Sequence, residues 1–130
     1  MLAAVDVHYG TDHARAACVG FARWTDDVAS YEATRLHAGA PAAYAPGRPG
    51  LGAYLSSAIG VPVIGVAKTQ FVSANAIRVV RASTRPLYVT GVGIDPAEAA
   101  SHIASMHGPY RLPTLLKLVD SRARGRSRSP

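Results

Sequence analysis

Hydrophobic and polar residues alternate over much of the first 36 positions, which is the pattern of strands with one buried face. The segments "LAAVDVHY" (2–9) and "ARAACVGFARW" (14–24) are apolar enough for two strands, and the polar stretch "GTDHA" (10–14) predicts a turn between them. The segment "DVASYEATRL" (27–36) predicts a third strand. The chain therefore begins with a predicted β-meander.

In the middle of the chain, apolar residues are first spaced as in a helix and then occur in continuous runs. In "RPGLGAYLSSAIG" (48–60), leucine and isoleucine recur every fourth residue and a glycine follows the last of them, which predicts a helix ending at Gly60. The run "VPVIGVA" (61–67) is typical of a buried strand. Two further segments, "AIRVVRA" (76–82) and "PLYVTGVG" (86–93), predict a pair of strands.

Two helices are predicted to follow these strands. Asp95 and Glu98 have the spacing of a capping box, with Pro96 at the first helical position, and this predicts a helix that ends near Gly108. The last helix is predicted to begin near Pro113 and to run through "TLLKLVDSRA". This order of elements indicates an α/β fold in which helices pack on a mixed sheet.

Length and composition favour one small cytoplasmic domain. The chain has 130 residues, of which 48% are hydrophobic, and this suits a single core. Asp6 interrupts the first apolar run too early for a signal peptide or a membrane span, so no membrane association is expected. The single cysteine, Cys18, excludes an intramolecular disulfide and is predicted to be a buried thiol in a strand.

Positive charge is concentrated at the C-terminus. The formal net charge is +6, and the segment 122–130, "RARGRSRSP", contains four arginines and no acid. Such a segment attracts phosphate backbones without reading their sequence. The alternative is a disordered, solubilising tail, because glycine, serine and proline separate the arginines.

Three charged residues are candidates for a functional site, and each also has an ordinary structural explanation. Asp6 lies between valines in a predicted strand, where a carboxylate is costly unless it is paired or holds a cation; otherwise it is a strand-end residue facing water. Lys68 ends a buried strand, where α/β sheets bind ligands, or it is an ordinary solvated lysine. Asp120 lies near the apolar face of the last helix, or it is a boundary residue paired with Lys117 or Arg124.

Six segments, taken in order, resemble segments of the endonuclease V family. They are "VDVHY" (5–9), "YAPG" (44–47), "RPGLGAYL" (48–55), "VPVIGVAKT" (61–69), "RPLYVT" (85–90) and "MHGPYRLPTLLKLVD" (106–120). The resemblance covers residues 1–121 and implies a ribonuclease H-like fold. It also implies a DNA-repair enzyme that uses Mg²⁺, with Mn²⁺ as an alternative, to cut deoxyinosine-containing nucleic acid on the 3′ side of the inosine.

The resemblance also assigns roles to individual residues. Asp6 matches a metal-binding aspartate on the first strand, and Asp120 matches an acidic or histidine position on the last helix, so both are expected to be catalytic metal ligands. Lys68 matches a lysine expected to act in catalysis and in nucleic-acid binding. Tyr44, Pro46 and Gly47 resemble the wedge that enters the duplex beside the damaged base, although the first proline of that wedge is replaced by alanine here.

One block of the family pattern is absent between Gly47 and Arg48. The family has a helix with an Arg-Glu pair there, followed by a central strand that ends in a catalytic aspartate. Between Glu32 and Asp95 this chain has no acidic residue. Three alternatives follow: a weakened endonuclease, an inactive homologue that still binds inosine-containing DNA or RNA, or a deletion product or inert homologue that is stable only as a homo-oligomer formed through unpaired sheet edges.

Overall fold

The computed structural model describes residues 1–38, 59–69 and 75–126. Along the described residues, six strands come first and two helices follow. The described elements are β1 (Leu2–Tyr9), β2 (His13–Phe21), β3 (Tyr31–Ala38), β4 (Val63–Ala67), β5 (Ile77–Val79), β6 (Leu87–Val92), α1 (Pro96–Ser105) and α2 (Thr114–Ala123). The helix predicted over 48–60 lies almost wholly outside the described residues.

The first three strands form the predicted meander. They pair antiparallel in the order β1-β2-β3. Alternate residues of β2 are buried on one face, Ala17, Val19 and Phe21 among them, and α2 packs on β1 and β2. Cys18 points to the opposite face and is only partly buried, so the prediction of a buried thiol was wrong, because alternation turns this residue away from the core.

The later strands form a second sheet in the order β4-β6-β5, again with antiparallel pairs. This sheet carries α1, which packs on β5 and β6. The predicted cap of α1 is confirmed, since the Asp95 carboxylate accepts a hydrogen bond of 3.2 Å from the Glu98 backbone N–H. The helix ends at Ser105, three residues before the predicted end at Gly108.

The α/β class is therefore confirmed, but the described strands do not form one mixed sheet. They form two three-stranded antiparallel sheets, and β1 and β4 each lie at the end of a sheet. Strand pairing depends on contacts between distant segments, which the alternation within each strand does not specify.

One hydrophobic cluster joins the two sheets and their helices. Its buried members include Val19 and Phe21 from the first sheet, Leu87 and Val89 from the second, and residues of both helices. The β2–β3 connection also touches α1, because the Trp24 ring stacks on His102 with 4.3 Å between ring centroids. Both sheets are thus held by a shared core.

The last helix continues past the predicted start of the basic tail at residue 122. Arg122 and Ala123 are helical, and Arg122 forms an ion pair of 2.9 Å with Glu32. These two residues are therefore ordered parts of the fold, while residues 127–130 lie outside the described part. No helix among the described residues is long and apolar enough to cross a membrane.

Candidate functional site

The structure brings Asp6 and Asp120 together from opposite ends of the described chain. Asp6 is paired in register with Ala17, a buried residue on the face of the sheet that α2 covers. Asp120 lies in the last full turn of α2, next to the buried Val119. The two carboxyl groups are within hydrogen-bonding reach of each other. This meeting depends on the packing of α2 on β1 and β2.

The two carboxyl groups have pKa shifts in opposite directions, as expected of a pair that can share one proton. Burial raises the pKa of Asp6, and its hydrogen bond to Asp120 raises it further, although the Val7 backbone N–H donates to Asp6 Oδ1 at 2.9 Å and lowers it. Burial also acts to raise the pKa of Asp120, but the hydrogen bond from Asp6 and the charges of nearby cations lower it overall. Asp6 is therefore the protonated member when the pair holds one proton.

Two cations face Asp120. Arg124 lies one turn further along the same helix, and its Nε atom is 3.3 Å from Asp120 Oδ2 and 3.4 Å from Oδ1. This is one of the two ordinary partners expected from the sequence; the other, Lys117, instead lies over the Tyr110 ring, 4.6 Å from its centroid. Lys68 also lowers the pKa of Asp120. Two carboxylates and two cations thus form one cluster.

Arg111 holds the end of β4 in place, and sequence reasoning did not single it out. Its guanidinium donates to the carbonyl of Lys68 at 2.7 Å, to that of Arg85 at 3.1 Å and to that of Pro86. A planar guanidinium with several donors suits this convergence of carbonyls. Arg111 is therefore a positioning residue for Lys68.

Arg15 is a second residue that sequence reasoning missed. It lies opposite His8 in the β1–β2 register, on the same face as Asp6 and Ala17. Its side chain lies against Gly125, where an added Cβ would be 3.2 Å from Arg15 Nε. The alternation of β2 could have indicated this face, since every second residue after Arg15 is buried.

The acid pair fits one divalent cation only as part of a larger ligand set. Among residues 1–38, 59–69 and 75–126, no group of three or more histidine, cysteine or acidic side chains could hold a metal. Mg²⁺ is commonly held by one or two carboxylates, with water and substrate phosphate completing its shell. Asp6 and Asp120 supply two such carboxylates, provided that the shared proton leaves.

The remaining predicted site residues, Tyr44, Pro46 and Gly47, lie outside the described residues. Comparison of the sequence with protein-family models, with curated proteins and with solved structures finds no match in any of the three. The relation to endonuclease V therefore stays a prediction from six sequence segments.

Proposed function

We propose that this chain is an endonuclease V-like protein of ribonuclease H-like fold that binds inosine-containing nucleic acid and hydrolyses its phosphodiester slowly, with one Mg²⁺. The observation that supports the proposal is the meeting of Asp6 and Asp120 beside Lys68. The resemblance assigns ion binding and catalysis to these three residues. They come from a strand, a helix and a strand end that are far apart in the sequence.

In this proposal each of the three side chains has a defined task. Asp6 and Asp120, both ionised, would hold Mg²⁺. The ion, when bound, neutralises charge on a phosphate oxygen and polarises the phosphorus for attack by water. Lys68 places a positive charge beside the same phosphate, where charge increases during hydrolysis. Arg111 keeps Lys68 in place through its carbonyl.

Slow turnover follows from the ligands that are missing. Two carboxylates are enough for one ion but leave a two-ion arrangement incomplete, so attacking and leaving oxygens are not both stabilised. The family pattern has a central strand with a further aspartate in the block absent after Gly47. The position of β1 and β4 at the ends of separate sheets is consistent with the loss of a strand that would pair with both.

The test is cleavage of labelled inosine-containing DNA and RNA, with protein in excess, in Mg²⁺, in Mn²⁺ and in EDTA. We expect a slow cut on the 3′ side of inosine that EDTA abolishes. Asp6→Asn and Asp120→Asn should each abolish it, whereas Asp12→Asn should not. Asp12 is a suitable control because it is an exposed acid, with 87% of its side chain accessible. Equal cleavage by Asp6→Asn and wild-type protein would refute the proposal.

A second candidate is a homologue that binds inosine-containing nucleic acid without cutting it. It is favoured by the Arg124–Asp120 ion pair and by the hydrogen bond between Asp6 and Asp120, since both occupy carboxylate oxygens that an ion needs. This candidate predicts binding that EDTA does not affect and no cleavage in either metal. Arg124→Gln separates the two candidates, because freeing Asp120 should speed cleavage by a weak enzyme and change nothing in an inactive binder.

A further inference from the structure

We propose that Arg15 binds a backbone phosphate of the nucleic acid next to the Asp6–Asp120 pair. The inference rests on the proposed function and adds a contact that the resemblance does not assign. It extends the site from the acid pair along β1 and β2. The ligand of this extended site is a nucleic-acid strand with further phosphates on both sides of the phosphate that reacts.

The position of Arg15 supports this role. In the β1–β2 register, Arg15 faces His8 and Ala17 faces Asp6, so Arg15 and Asp6 lie on the same face, one residue pair apart on that face. The guanidinium rests against the turn at Gly125 that ends α2, the helix carrying Asp120. A phosphate on Arg15 is therefore a neighbour of the one at the acid pair.

Arg15 also differs from the other arginines near it in having no partner within the described residues. Arg122 pairs with Glu32 and Arg124 with Asp120, while Arg111 donates to backbone carbonyls. All eight acidic residues of the chain lie in residues 1–38 and 75–126, and none of their side chains pairs with Arg15. No described residue accepts a hydrogen bond from its five N–H donors, and their planar arrangement matches two phosphate oxygens at once.

The chain offers a matched control in Arg35. This arginine lies on β3 opposite Ala16, so alternation places it on the other face of the same sheet. Replacing either arginine with glutamine lowers the net charge by one. A difference between the two variants therefore reports the position of the charge and not its amount.

The experiment measures the affinity for a labelled duplex by fluorescence anisotropy as KCl is varied, in EDTA, with and without inosine in the duplex. The slope of log K against log salt is negative, and loss of one phosphate contact reduces its magnitude by about 0.9. We expect this decrease for Arg15→Gln and no decrease for Arg35→Gln. Arg15→Met, which retains the apolar stem against α2, should behave like Arg15→Gln and guards against a folding defect.

The outcomes separate this inference from the proposed function. Equal slopes for the Arg15 and Arg35 variants, or no binding by the wild-type protein at low salt, would overturn the inference. A shallower salt dependence for Arg15→Gln and Arg15→Met supports the phosphate contact of Arg15 even if no cleavage occurs in Mg²⁺. That last combination would refute only hydrolysis and leave the phosphate contact in place.

Discussion

Asp6→Asn should stabilise the protein at neutral pH while removing its response to Mg²⁺. When both groups are ionised, the Asp6 carboxylate faces the Asp120 carboxylate from a partly buried position. An asparagine at position 6 can donate a permanent hydrogen bond to Asp120. Its side-chain oxygen can still accept the 2.9 Å hydrogen bond from the Val7 backbone N–H.

The size of the effect follows from the surroundings of the pair. Two carboxylates about 4 Å apart repel by about 4 kcal/mol at an effective dielectric constant of 20. Arg124 and Lys68 offset much of this repulsion at Asp120, whose side chain is 26% exposed and therefore partly screened by water. We expect about 1 kcal/mol to remain. For a domain of this size, this corresponds to a rise in Tm of about 3–5 °C.

The stability difference between Asp6→Asn and the wild-type protein depends on pH, and the pKa shifts give the direction of this dependence. Because the folded state raises the pKa of Asp6, the stability contributed by protonated Asp6 is complete below its unfolded pKa and is lost as the pH rises through the raised value. Because the pKa of Asp120 is lowered, its contribution is instead lost as the pH falls through that lowered value. The advantage of Asp6→Asn should thus be largest at neutral pH and should shrink below the raised pKa of Asp6.

The assay is thermal unfolding in EDTA at neutral and acidic pH, repeated at neutral pH with Mg²⁺. Asp12→Asn removes an equal charge at an exposed site and should not raise the Tm. Saturation with Mg²⁺ at ten times its Kd should stabilise the wild-type protein by about 1.4 kcal/mol and leave Asp6→Asn unchanged. An Asp6→Asn protein that melts below wild type at neutral pH would refute the reasoning about the shared proton.

Three further predictions concern stability and are checked by urea unfolding. Arg81→Met should lower the free energy of unfolding by about 2–3 kcal/mol. The Arg81 guanidinium donates at 2.9–3.1 Å to four carbonyls at and after the end of α1, those of Ile103, Ala104, Met106 and Gly108. An unchanged urea midpoint would show that water replaces the guanidinium. Gly125→Ala should cost about 1 kcal/mol, since Gly125 has φ +81° in the turn after α2, and Ser121→Ala within α2 serves as a control. Asp95→Ala should cost about 1 kcal/mol through loss of the α1 cap, whereas Asp95→Asn should retain most of it.

Local patterns in the sequence determined most of the secondary structure. The alternation in residues 2–36 predicted β1 to β3 because a strand with one buried face must alternate. Asp95 and Pro96 predicted the start of α1 because capping involves only neighbouring residues. The end of α1 was less well predicted, because it depends on Arg81, which caps the last carbonyls from a different part of the chain.

The candidate site was only partly predictable. Asp6, Lys68 and Asp120 were singled out from the sequence, and the structure brings them together. Arg111 was not singled out, because a guanidinium that binds distant carbonyls leaves no local pattern. Arg15 was missed as well; the alternation of β2 could have indicated its face of the sheet but not its contact with the helix end.

The sequence by itself thus determined the elements, the α/β class and three of the charged groups in the site. Only the tertiary structure decided that the strands form two antiparallel sheets, that α2 packs on β1 and β2, and that Arg124 pairs with Asp120. The physical reason is the distance along the chain over which each kind of interaction acts. Hydrogen bonds within a helix or turn join near neighbours, whereas sheet pairing, helix packing and charge pairing join residues whose separation along the chain carries no periodic mark.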